Sequence, residues 1–164
     1  MNMKQKISPC IWFDHEGEDA AKYYVSLFPN SEITHITHHD AASAEASKMP
    51  EGSVLTVSFN LGGNEFMAIN GGPHFKLNSA VSFMIECETQ EEIDHYWNSF
   101  SEGGQIMDCG WVIDRFGMTW QVVPAILGRY MVDPDKEKAG RVMKAMLKMQ
   151  KLEIAPLQAA YEGN

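Results

Sequence analysis

The sequence predicts an α+β fold: two βαβββ modules in succession, followed by a C-terminal helical extension. Three observations carry that expectation. The order strand–helix–strand–strand–strand can be read twice along the chain. A shift of 73 residues lays Glu18 on Glu91, Tyr23 on Tyr96, Ser26 on Ser99 and Ile33 on Ile106, and self-similarity at a fixed period marks a repeated structural unit. After Pro124 the strand pattern gives way to helical spacing. A half-sheet this small cannot bury its own face, so the two modules must pack together or curl around a shared cavity.

Module one, about residues 5–73, opens with strand formers from Ile7 to Phe13 that stop at Asp14. Glu16, Glu18 and Asp19 put negative charge where a helix N-terminus favours it, and Ala20, Tyr23, Tyr24, Leu27 and Phe28 recur at helical spacing until Pro29-Asn30. Glu32 to about His38 reads as a strand. Asp40 to Gly52, rich in alanine and serine with little apolar periodicity, reads as an exposed loop. Val54 to Leu61 alternates apolar and polar residues, Gly62-Gly63 is a hairpin turn, and Glu65 to Asn70 is the return strand.

Module two, about residues 78–124, repeats the plan. Ala80 to Ile85 reads as a strand, and Thr89 with Glu92 forms a capping box that opens a helix through Ile93, Tyr96, Trp97 and Phe100. Gln105 to Val112 is strand-like, Asp114 to Gly117 is a tight turn, and Met118 to Val123 is the last strand. In the extension, 125–164, Asp133-Pro134 starts a helix. Its stripe of Ala139, Val142, Met143, Met146 and Leu147 reads as a packing face, which Leu152, Ile154 and Leu157 continue beyond a break near Pro156.

Composition narrows the function. The chain has 164 residues, 45% hydrophobic and 21% charged, which excludes disorder and a disulfide-stapled miniprotein. A net charge of −9 repels phosphate backbones and anionic lipid, so neither nucleic acid nor a membrane surface is an expected partner. No apolar run reaches the roughly 18 residues of a membrane span. Met1 to Lys6 is polar, with no signal-peptide pattern. Cys10, Cys87 and Cys109 form no CxxC pair, and their apolar contexts read as buried reduced thiols of a cytoplasmic protein.

Four segments carry a narrower resemblance: Ile7-Ser-Pro-Cys-Ile-Trp-Phe-Asp14, Tyr24-Val-Ser-Leu-Phe-Pro-Asn30, Met67-Ala-Ile-Asn-Gly-Gly-Pro73, and Cys109 through Asp114-Arg-Phe-Gly-Met-Thr-Trp-Gln121 to Pro124. With Met143-Lys-Ala-Met-Leu-Lys-Met149 they resemble the PhnB-like branch, labelled demethylubiquinone methyltransferase, of the vicinal-oxygen-chelate superfamily. That superfamily includes glyoxalases, bleomycin-resistance proteins and extradiol dioxygenases. The resemblance implies that residues 1–124 form a glyoxalase/bleomycin-resistance-like domain. Its two modules would form curved mixed sheets around a small-molecule cavity, usually in a homodimer. It does not fix a reaction, because one scaffold serves several chemistries.

Metal-dependent members place His, Glu or Gln on the first and last strands of each module. Here Ile7 to Phe13 and Ala80 to Ile85 contain no His, Asp or Glu. Glu65, Asn70 and Gln121 are the remaining candidates, too few converging donors for a tight divalent site. His38-His39-Asp40 reads as solvent-exposed at a loop edge, His15 and Asp19 as helix-start residues, and Asp114 with Arg115 as a turn and salt bridge. Methyl transfer from adenosylmethionine would need a glycine-rich strand-to-helix turn, and none is present.

What remains is an aromatic, sulfur-rich cavity with a few polar groups, the kind of lining that suits a small, partly apolar ligand. Phe13 and Trp120 are further candidates for that lining, but alternation turns only about half of such strand residues inward. The expected ligand-binding residues are Trp12, His35, Met67, Asn70, Phe75, Ser82, Trp111 and Gln121, with no catalytic residue identified. The expectation is thus a homodimeric small-molecule binder without a tightly held metal. The alternative is a lyase, isomerase or dioxygenase using a divalent metal on His35, Glu65 and Gln121.

Overall fold

The computed structural model describes residues 7–164, so the reading of Met1 to Lys6 lies outside the described residues. The chain divides into two compact units, with the break between Leu77 and Asn78. Each contains an open four-stranded mixed sheet.

Unit one contains β1 (Cys10–Phe13), α1 (Gly17–Leu27), β2 (Glu32–His38), α2 (Ala41–Ser47), β3 (Val54–Leu61) and β4 (Asn64–Asn70). The sheet order is β1-β4-β3-β2, with β1 parallel to β4 and the other pairs antiparallel. Strand alternation sends Ile11, Phe13, Val57, Phe59 and Ala68 toward α1, where they are buried with Ala20, Ala21 and Tyr24. Phe13 thus goes to the helix side. The start of α1 is held by a distant residue: the Gly17 N–H donates to Asn70 Oδ1 at 2.8 Å. A Cβ at Gly17 would sit 2.6 Å from that oxygen, so only glycine permits the approach.

The segment after β2 corrects the expected loop. Residues 41–47 are helical, with Asp40 Oδ1 accepting from the Ser43 N–H and Ser43 Oγ accepting from the Asp40 N–H. No residue of α2 is buried, so it lacks the apolar stripe by which helices are recognised; reciprocal capping and alanine propensity form it instead.

Unit two contains β5 (Phe83–Cys87), α3 (Gln90–Ser101), β6 (Gln105–Ile106), β7 (Trp111–Ile113) and β8 (Thr119–Pro124), then α4 (Ala125–Met131), α5 (Lys136–Met146) and α6 (Ile154–Glu162). Its order, β5-β8-β7-β6, with β5 parallel to β8, repeats that of unit one. The 73-residue offset holds at the starts of the first three elements, Cys10 and Phe83, Gly17 and Gln90, Glu32 and Gln105, while the partner strands follow sooner in unit two: Ile33 pairs with Phe59, and Ile106 with Val112. On the α3 side Trp120 stacks on Phe100 at 4.6 Å and donates Nε1–H to Asp114 Oδ2 at 2.8 Å. Thr89 caps α3 as expected, while Glu92 reaches back to the Glu88 N–H, one residue before the cap.

Other boundaries differ from the sequence reading. β5 begins at Phe83 because Asn78 to Ser82 form a turn in which Asn78 Oδ1 accepts from the Ala80 N–H. The stretch 105–112 is two strands, parted where Cys109 and Gly110 take positive φ. The extension begins with α4, and Pro156 is no break: it lies in the first turn of α6, where its missing N–H costs nothing. The break falls instead between α5 and α6. Val123 packs against Leu127, Val142, Leu152 and Leu157, so the extension covers the face of β8 opposite α3. No helix among the described residues is long and apolar enough to cross a membrane.

Candidate functional site

In unit one the face turned away from α1 collects the residues that alternation leaves over. His35, Ser58, Met67 and Cys10 form one row across the four strands; Thr37, Thr56, Ile69 and Trp12 form the next. A cleft of about 330 Å³ takes in His35, Ser58, Glu65 and Met67. It brings together an imidazole, a hydroxyl, a carboxylate and a thioether. Asn60 also lines it, but its Oδ1 accepts from the Gly63 N–H at 2.6 Å and closes the hairpin.

The expected site residues divide between the two units. His35 and Met67 share the unit-one cleft. Trp12 lies on the same face but outside that cleft; its Nε1–H donates to Gly72 O at 2.9 Å and its ring meets Phe75 edge-on at 4.9 Å. A Cβ on Gly71 would fall 2.1 Å from the Trp12 ring, so glycine there lets the turn close over the indole. Asn70 faces the other way: it is 3% exposed, and its amide serves Gly17 N–H and Val54 O. In unit two, Trp111 and Gln121 line a second cleft, and Gln121 Nε2 donates to Ser82 Oγ at 2.8 Å. Met84, Glu86, Cys109, Met131 and Met146 also line that cleft, and sequence reasoning did not single them out as ligand contacts. Alternation along Ala80 to Ile85 already puts Met84 on the face of Ser82, and reading the strand on to Cys87 adds Glu86.

Two readings need correction. His39 is not solvent-exposed: it is 2% exposed, with Nε2 bonded to Asn70 O at 3.2 Å, because it follows β2 inward while His38 points out. Cys10 is exposed, since alternation turns it away from α1, and Cys109 is half-buried. Asp114 shapes its turn by accepting from the Phe116 and Met118 N–H groups, whereas Arg115 reaches the exposed Glu102 at 3.7 Å.

The donors do not fit a divalent metal. Among the described residues no three His, Cys, Asp or Glu side chains come together, and the amide oxygen of Gln121 is a weak, neutral donor. A methyl donor fits no better. The strand-to-helix turns Asp14-His15-Glu16, His39-Asp40 and Glu88-Thr89 contain no glycine, and β8 runs directly into α4. The Cys87 thiol is no nucleophile: burial, helped by the charge of Glu92, pushes its pKa up to about 12.

The family model for 3-demethylubiquinone-9 3-methyltransferase matches residues 5–123. The PhnB protein of Bacillus cereus is 33% identical, with a TM-score of 0.66 over 74% of this chain and 100% of its own. Protein PA1353 of Pseudomonas aeruginosa is 16% identical with a TM-score of 0.60, over 74% of this chain and 98% of its own, a likeness of fold alone. No curated protein matches the sequence. With its paired modules, its repeated strand order and a match running through both, the chain belongs to the PhnB-like, 3-demethylubiquinone-9 3-methyltransferase-labelled family.

Proposed function

We propose that this chain is a cytoplasmic, homodimeric binding protein that takes a small organic molecule on the helix-free face of its first sheet, without a tightly held metal. One observation carries the reading: His35, Ser58, Glu65 and Met67 converge on a single cleft of about 330 Å³, within the size range of small-ligand sites. The cleft offers hydrogen-bond donors and acceptors beside a polarizable apolar wall, so it suits a molecule with both polar and apolar parts. Free thiols among the described residues fit a reducing compartment. Among the described residues each sheet ends in edge strands with one paired side, and Val81 and Ile106 are exposed, which supports association with a second copy.

The test is a fragment screen followed by NMR. Fragments that bind should shift the resonances of Ser58 and Met67, and Met67→Lys should weaken them by about tenfold or more, roughly 1.4 kcal/mol. Fragments that bind but leave both residues unshifted would refute the assignment. Elemental analysis of untagged protein checks the metal clause. About one equivalent of divalent metal per chain, lost in His35→Ala or Glu65→Gln, would replace this reading with the metal-dependent lyase, isomerase or dioxygenase.

A further inference from the structure

The two sheets treat their second faces differently. In unit two the face turned away from α3 carries Met84, Glu86, Trp111, Gln121 and Val123. There α4 and α5 bring in Leu127, Met131 and Met146, and a cleft of about 310 Å³ remains between strands and helices. The family match ends at residue 123, and the whole Bacillus cereus PhnB chain is covered by 74% of this one. Most of the helical wall of this cleft therefore lies beyond the stretch that the family model matches.

The chemistry of the lining is one-sided. Three thioethers, a leucine, a valine and an indole surround one charged residue, Glu86, with no lysine, arginine or histidine. Among the described residues Glu86 has no ion-pair partner. Gln121 gives its N–H to Ser82 and keeps Oε1 as an acceptor. The Cys109 thiol donates to the Met146 carbonyl at 3.7 Å, so it is committed to the wall.

A neutral apolar occupant would strip water from the carboxylate without compensating it, and an anion would be repelled by it. A cation with an apolar body meets neither penalty. Its charge faces Glu86 and the amide oxygen, the Trp111 ring attracts positive charge, and the methionines adapt to the body. The net charge of −9 steers the same species toward the protein.

We infer that this cleft binds a hydrophobic organic ammonium ion, its body among Met84, Met131, Met146 and Trp111 and its ammonium group at Glu86 and Gln121. The inference rests on unit two alone and stands whether or not the unit-one cleft is occupied.

Calorimetric titration of the full chain with 4-phenylbutylammonium, 4-phenylbutanol and 4-phenylbutyrate tests it. The ammonium should bind about tenfold more tightly than the alcohol, and the carboxylate most weakly. Glu86→Gln, an exposed and isosteric change, should bring the ammonium down to the affinity of the alcohol and leave the alcohol and the melting temperature unchanged. Trp111→Leu should weaken both. Equal affinity for ammonium and alcohol, an indifferent Glu86→Gln variant, or no binding of any probe would overturn the inference. Loss of ammonium binding in Met67→Lys would do so too, because the probe would then occupy unit one.

Discussion

Unit one and unit two share strand order and a buried helix face, yet they differ in how each anchors its helix and finishes its outer face. Unit one begins α1 with a side chain from β4, 53 positions away; unit two begins α3 with the adjacent Thr89. Unit one presents hydroxyls, an imidazole and a carboxylate on its outer face, which water can meet. Unit two presents Met84, Trp111 and Val123, and the extension covers part of them. A duplicated backbone thus constrains topology far more tightly than it constrains surface chemistry, and the chemistry decides what each copy can bind.

The sharpest way to break this comparison is to remove the extension's anchor. Leu152 is 0% exposed in the core around Val123, so Leu152→Ala should cost about 2–5 kcal/mol. Hydrogen exchange should show the loss in α4–α6 and β8 while the amides of β3 and β4 stay protected. Loss of protection in both sheets together would mean that the units do not unfold separately.

Helix anchoring gives the next two effects. Asn70→Ala strands the buried Gly17 N–H and should destabilise by about 1–3 kcal/mol, read by denaturant melts. Thr89→Ala removes an exposed cap and should cost about 1 kcal/mol. If the two substitutions cost the same, the distant anchor is no stronger than the local one.

The smallest effect concerns pH. Hydrogen bonds from Lys151 and Gln90, with the Lys151 charge, hold the Asp94 carboxyl below the usual carboxylate range. The pair's stabilisation is therefore fully present above the ordinary carboxylate pKa and is lost as the pH falls through the lowered value. Both side chains are partly exposed, which limits the contribution to about 0.2–1 kcal/mol. Asp94→Asn should flatten the acid limb of the stability profile by that amount.

Much of the fold was legible because repeat, alternation and capping all pointed the same way: Thr89 and Ile33/Ile106 are where the sequence placed them. α2 was not, because it buries nothing, and α4 was not, because Pro124 and Gly128 mask seven helical residues. The site was less legible. Alternation separates Phe13 and Trp120 from Trp12 and Trp111 only when the register is known, and Asn70 looks like a ligand contact until its bond to Gly17 is seen. Met146 reads as packing and Met131 carries no reading at all, and only the cleft they share with Glu86 brings them into the site.

The reach of Gln90 bears on biosynthesis. Its amide grips the Leu152 carbonyl and the Ile154 N–H, 62 and 64 positions further along. When α3 leaves the ribosome, its clamp partner has yet to be made, and at about 5–20 residues per second the wait lasts several seconds. Through that interval Met84 and Trp111 have no helical cover, whereas every strand of the first sheet has already been synthesised. Nascent chains stalled shortly before Leu152 should therefore be the ones that a ribosome-bound holdase retains longest.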